Sequence, residues 1–291
     1  MKWYLVFPLI SSLLYVVGVM LIKRTATTSI GVWRTTFISN VFTAAVFLTL
    51  LPLGGQPWQW MLLWQPTVVA LLFVGGQILT FLALQNGDVS IATPALGSKT
   101  VYVAWLSTSV LGANIPWQLW LAAFLTFAAI VLLNFSRHQP RHPGRTIALA
   151  LCSAACYACF DVLVQKWSPI WGVGHFLPVM FGIAAILSCL FLPFVRGRLL
   201  DIPKAARFWL FGGVAFMALQ ALFLITTVAV FGDATAVNVV YSARGLWSVV
   251  AVWSIGHWFG SQEQKLGNAV LRLRLLGAVV MTTAILIALT R

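Results

Sequence analysis

The stretch FGDATAVNVVYSARGLW, residues 231–247, decides the fold. It is apolar, yet Arg244 stands eleven residues in, counting from Ala234, where a membrane-crossing helix has its middle. A second stretch, NGDVSIATPALGSKTVY at 86–102, places Lys99 eleven residues in from Val89. A charge at the bilayer centre costs about 2.5–3.5 kcal/mol on insertion scales. A chain that places a cation there twice has a use for both.

The surrounding composition requires a membrane. The 291 residues are 61% hydrophobic and only 8% charged, and the mean hydropathy is +0.96. A helix needs about 20 mostly apolar residues to cross the hydrocarbon layer. Backbone groups in lipid must be satisfied within the segment, which selects helices. Ten segments are expected, at 3–22, 31–51, 67–86, 89–111, 116–136, 146–165, 171–195, 208–231, 234–256 and 272–290. The predicted fold class is an all-α membrane protein with ten transmembrane helices.

The charges orient the chain. Of 18 Lys and Arg, 12 fall in four breaks or in the first turn of the segment that follows: Lys23 and Arg24; Arg137, Arg141 and Arg145; Arg196, Arg198, Lys204 and Arg207; Lys265, Arg272 and Arg274. These breaks follow segments one, five, seven and nine, so all lie on one side. The opposite side holds Lys2, Lys166 and Arg291. The positive-inside rule makes the basic side cytoplasmic and both termini extracytoplasmic. The same rule accounts for the net charge of +13 without a nucleic-acid partner. The first segment has no positive run before it, so no cleavable leader is expected.

Neither cofactor nor metal is expected. Cys152, Ala155, Cys156 and Cys159 form a small-residue stripe suited to close helix approach, and the four histidines are scattered. No phosphate-binding glycine motif and no nucleophile beside a base is present, so the chain does not read as an enzyme.

The two quoted stretches are a repeat. Gly87-Asp88 over Gly232-Asp233 sets an offset of 145, which brings Ser90 to Thr235, Lys99 to Arg244 and Tyr102 to Trp247. SSLLY at 11–15 aligns with SAACY at 153–157. Five segments on each side of a basic loop mean that the second half enters the membrane upside down. The expected organisation is a five-helix repeat at 1–137, a connecting loop at 138–145 and an inverted five-helix repeat at 146–291. Loop charges agree: 52–66 carries none, whereas its counterpart 196–207 carries four cations and one acid. Inverted repeats are a common build of secondary transporters, with the binding site near the midplane between the halves.

With its five-plus-five duplication, its very short breaks before segments four and nine, and the stretch GDVSIATPALGSKTVYVAW, the chain resembles the drug/metabolite transporter superfamily, EamA-type. The resemblance covers nearly the whole chain. It implies a carrier that exports or exchanges small metabolites by alternating access, with segments four and nine lining the cavity. Members are usually drawn with both termini in the cytoplasm, opposite to the loop charges here.

The candidate site centres on Lys99 and Arg244. Residues three or four apart share a helix face, so Tyr102 stands with Lys99, and Tyr241, Trp247 and Ser248 stand with Arg244. A cation beside an aromatic face suits an anionic ligand with a flat or apolar body; helix packing explains the same aromatics equally well. Asn238, Gln77, Tyr15 and Tyr157 complete the substrate-binding candidates. Asp161, toward the far end of segment six, and Arg34, four residues into segment two, are a coupling group or structural ion pair. Pro94 breaks the hydrogen-bond pattern five residues before Lys99, and Asp88 and Asp233 read as N-caps.

The expected function is a secondary carrier of the bacterial inner membrane. Its partners are the lipid bilayer and a small anionic or zwitterionic metabolite, clamped by Lys99 and Arg244. The alternatives are a proton-coupled exporter of neutral or cationic compounds using Asp161, and a lipid-phosphate flippase. A reporter fused after Arg291 that works only in the cytoplasm is expected to be silent; activity there reverses the orientation.

Overall fold

The computed structural model describes residues 2–25, 30–86, 89–134, 143–195, 197–199, 201–255 and 268–290. Twelve α-helices follow one another among them: α1 Val6–Thr25, α2 Val32–Leu48, α3 Trp64–Asn86, α4 Val89–Gly97, α5 Lys99–Leu111, α6 Trp117–Leu133, α7 Pro143–Trp171, α8 Val173–Leu187, α9 Lys204–Phe231, α10 Ala234–Tyr241, α11 Arg244–Ile255 and α12 Asn268–Thr290. No strand occurs among the described residues. Among the described residues seven helical segments are long and apolar enough to cross a membrane, and Trp117–Leu133 is a shorter apolar helix. Large side chains such as Phe208, Trp117 and Ile186 face outward, as a lipid-facing surface requires. The chain is a multi-pass membrane protein with an all-α fold.

The two stretches expected as single helices, 89–111 and 234–256, are each broken in two. Gly97 ends α4 and Lys99 begins α5; Tyr241 ends α10 and Arg244 begins α11. Both breaks tighten into a 3₁₀-like turn around a serine. Ser98 N–H donates to the Ala95 carbonyl at 3.2 Å, and Ala243 N–H to Val240 at 3.0 Å. Ser98 Oγ bonds back to Ala95 O at 2.7 Å and Ser242 Oγ to Asn238 O at 2.9 Å. Such back-bonding bends helices, and tightened turns within a helix are common hinge positions. Pro94, inside α4, removes one further backbone bond before the first break.

Contacts fix the helix directions. Lys2 and Tyr4, ahead of α1, meet Asp233 after α9, while Gly18 and Arg24 farther along α1 meet Gly213 and Trp209 near the start of α9. Helix α1 therefore runs antiparallel to α9. Likewise Trp64 of α3 meets Trp167 of α7, and Thr80 meets Ser153, so α3 and α7 are antiparallel. Gln165 of α7 reaches Gly232, which puts the end of α7 beside the beginning of the chain. That end of the bundle is here the leading end; Arg24, Arg145, Arg198 and Arg207 lie toward the opposite, basic end. Helices α1 and α7 run in opposite directions, as do α3 and α9.

Helix α7 starts at Pro143 and continues six residues beyond the expected 165, so Asp161 sits well inside it rather than near its end. The expected connecting loop, 138–145, lies largely outside the described residues. Ala and Gly let the main helices approach closely: a Cβ on Gly213 would stand 2.7 Å from Ile22 Cγ1. At the leading end, the α7–α8 turn meets the loop after α2 backbone to backbone. A Cβ on Gly174 would collide with Gly54 O and reach 2.7 Å from Leu50 O. Neither obstacle is a side chain that can swing away. Gly174→Ala is therefore expected to cost about 1–3 kcal/mol, read as a lowered thermal unfolding midpoint in detergent; an unchanged midpoint means that this junction yields.

Candidate functional site

Lys99 opens α5, where the helix dipole disfavours a cation. Its compensation comes from α7: Lys99 Nζ lies 2.8 Å from Asp161 Oδ2. The Asp161 side chain is 1% exposed and that of Lys99 16%. Asn238 of α10 donates its Nδ2 to the same Oδ2 at 2.6 Å and to Ala234 O at 2.9 Å. One buried carboxylate oxygen thus joins three helices. The other, Oδ1, is buried with no hydrogen-bond partner. Tyr157, one turn before Asp161, places its ring 5.8 Å below Lys99 Nζ.

Arg244 opens α11 one turn after Tyr241. Its guanidinium carbon lies 4.6 Å from the Tyr241 ring centre and 4.9 Å from that of Tyr15. The two rings meet edge to face at 6.0 Å. Among the described residues no carboxylate is within ion-pair distance of Arg244. Gln220 of α9 braces the box: Tyr241 Oη donates to Gln220 Oε1 at 2.9 Å, and Ser11 Oγ to Gln220 O at 2.7 Å. Trp247 donates Nε1 to Ser12 Oγ at 3.1 Å.

The two cation positions mirror each other in their partners. Lys99, from the first half, lies over Tyr157 of the second; Arg244, from the second half, lies over Tyr15 of the first. Ser11 bonds the Gln220 backbone carbonyl, and Ser153, its counterpart, bonds that of Gly76 at 2.8 Å.

Other candidates stand elsewhere or serve the backbone. Gln77 is closed in a reciprocal amide pair with Asn40 of α2, both bonds 2.9 Å, and Ser248 Oγ bonds Arg244 O in its own helix at 2.7 Å. Tyr102 packs partly buried against the main apolar core. Arg34 donates Nη1 to the Asp201 carbonyl at 2.9 Å near the basic end; the cation that Asp161 meets is Lys99. Asp233 caps α10, its Oδ1 accepting from Ala236 N at 3.3 Å; Asp88 lies outside the described residues. Ser11, Ser12 and Asn40 were not singled out from the sequence. The SSLLY/SAACY alignment was the available signal for the serines.

Residues 1–135 match the EamA-like transporter family. The match covers the first 135 of the 291 residues. An uncharacterized transporter of Archaeoglobus fulgidus is 27% identical over 183 residues, covering 62% of this chain and 58% of that relative's length. A solved crystal structure superposes with a TM-score of 0.71 at 14% identity, covering 98% of this chain and 96% of its own; it establishes the shared fold.

Breaking a buried pair by removing one partner costs about 3–5 kcal/mol, because the other charge is left uncompensated. Lys99→Met is therefore expected to lower the unfolding midpoint sharply, and Lys99→Met with Asp161→Leu to recover much of the loss. A double variant no more stable than the single one excludes the pair as the cause.

Proposed function

We propose that the protein is a secondary carrier that moves a small anionic or zwitterionic metabolite by alternating access between two inverted halves. The observation that carries this reading is Arg244: a cation inside the bundle, flanked by Tyr15 and Tyr241, with no carboxylate in reach among the described residues. A planar guanidinium binds a carboxylate or phosphate through two parallel hydrogen bonds. The tyrosine faces supply a surface for the flat or apolar remainder of the substrate.

The site so described is not a clamp of two equal cations. Lys99 already holds Asp161, so it joins the substrate only by exchanging that carboxylate for the substrate's anionic group. Asp161 Oδ1, buried without a partner, offers an acceptor to the cationic end of a zwitterion. The same atom favours the second reading, an exporter of neutral or cationic compounds that couples through Asp161. Trp247, Asn238 and Tyr157 belong to the site as support and lining, and Tyr102 packs into the apolar core beside it in sequence only. Gln77 and Arg34 belong to the scaffold.

A thermal-shift screen against metabolites identifies a ligand, since binding to the folded state alone raises apparent stability. Charge-assisted hydrogen bonds are worth about 1.5–3 kcal/mol, and 1.4 kcal/mol is about tenfold in affinity. In proteoliposomes Arg244→Met is expected to weaken substrate binding about tenfold or more, and Arg244→Lys to restore it only in part. Arg34→Met is expected to affect expression more than affinity. If Arg244→Met transports with unchanged affinity and rate while Asp161→Asn abolishes transport, the Asp161 reading replaces this one.

A further inference from the structure

The turn between α9 and α10 is tied down at the leading end by side chains from two other helical elements. Lys2 Nζ and Tyr4 Oη both meet Asp233 Oδ2 at 2.9 Å. Gln165 of α7 holds the turn from the other side, donating Nε2 to Gly232 O at 2.6 Å and accepting from Ala234 N at 3.0 Å. Phe231 stacks on Tyr4 at 4.4 Å and meets Trp3 edge-on at 5.3 Å. Beside the turn lies a partly open pocket of about 190 Å³ whose wall includes Lys2, Tyr4, Ser107, Asn114, Gln165 and Thr235. Its lining comes from both halves of the chain, so it sits where the halves meet.

The same turn leads directly to the candidate site. Helix α10 is buried at all eight positions, Ala234–Tyr241, and spans about 12 Å at 1.5 Å per residue. Asp233 caps its first turn, Asn238 on its middle turn holds Asp161, and Tyr241 at its end lies against Arg244. Past Tyr241 comes the tightened turn at Ser242 and Ala243. A rigid rod with a pinned start and a bend at its far end moves as one piece when the pin is released.

We propose that Lys2, Tyr4 and Gln165 form a latch on the Gly232–Ala234 turn that closes the leading end of the molecule, and that α10 couples this latch to Arg244 and Asp161. The inference rests on the carrier reading for its purpose, but its test needs no substrate. Lys2 is more than one third exposed at its side chain, with 37% against 13% for Asp233. The ion pair is therefore partly screened, strong enough to hold the turn and weak enough to open.

The test is accessibility. In a background with Cys152, Cys156, Cys159 and Cys189 replaced by alanine, Ser107→Cys reports on the cavity, because Ser107 is 2% exposed in the closed arrangement. A membrane-impermeant maleimide is applied to the leading end of protein in liposomes, and the labelling rate is measured. Lys2→Met, Gln165→Leu and Asp233→Asn are each expected to raise the rate roughly three- to tenfold. Lys2→Arg, which keeps the ion pair, is expected to leave the rate low. The Lys2 side chain is partly exposed, so Lys2→Met leaves the core packing in place and a folding defect does not mask its result. Labelling that is fast before any latch substitution, or unchanged by all three, overturns the latch. A faster rate in the latch variants together with normal transport by Arg244→Met retains the latch and removes the proposed substrate site.

Discussion

A carboxylate deep in an apolar bundle constrains everything around it. Asp161 is 1% exposed, and leaving a charge there unpaired costs as much as a large packing defect, about 3–5 kcal/mol. It is stabilised by Lys99 from α5 and Asn238 from α10. Those partners begin or occupy the broken helices, so the breaks, the cations and the carboxylate form one arrangement. Lys99 stands at the first residue of α5 and Asn238 one turn before the end of α10. The backbone irregularities at Ser98 and Ser242 are tolerated because they lie inside protein rather than against lipid.

Around that centre the chain uses one device twice. A cation follows a serine turn in each broken stretch, and each cation lies over a tyrosine from the opposite half. The two copies then diverge in charge. Lys99 has a counter-ion; Arg244 has a box of aromatic rings braced by Gln220. One cation is paired with a carboxylate and the other is packed between tyrosine rings.

The polar contacts outside the centre are of two kinds. Asn40 with Gln77, and the serine bonds to the Gln220 and Gly76 carbonyls, join helices within the bundle. The contacts on the Gly232–Ala234 turn lie at an end, are partly exposed, and hold an element that reaches the centre. Interhelical hydrogen bonds in membranes are individually modest. A few placed on one turn can hold a conformation without trapping it.

Much of this protein was legible in the sequence. Hydropathy specified an all-α membrane fold, because lipid permits little else for such segments. The matched positions of Lys99 and Arg244, and the alignment of Tyr15 with Tyr157, followed from the repeat. Pro94 marked one broken helix. The second break had no proline to announce it; it depends on Ser242 turning its hydroxyl back to Asn238, which local sequence permits but does not demand. The distribution of counter-ions was beyond local reading. Asp161 is 62 positions from Lys99 and 83 from Arg244 in the chain, and only the packing of α7 against α5 decides which cation it neutralises. Nothing local in the sequence joins Lys2, Tyr4 and Gln165: their shared partner, the turn at 232–234, reaches them only when α1, α7 and α9 are brought together. Sequence determined that the chain is built of apolar membrane helices; tertiary contact decided which of the buried cations the carboxylate neutralises.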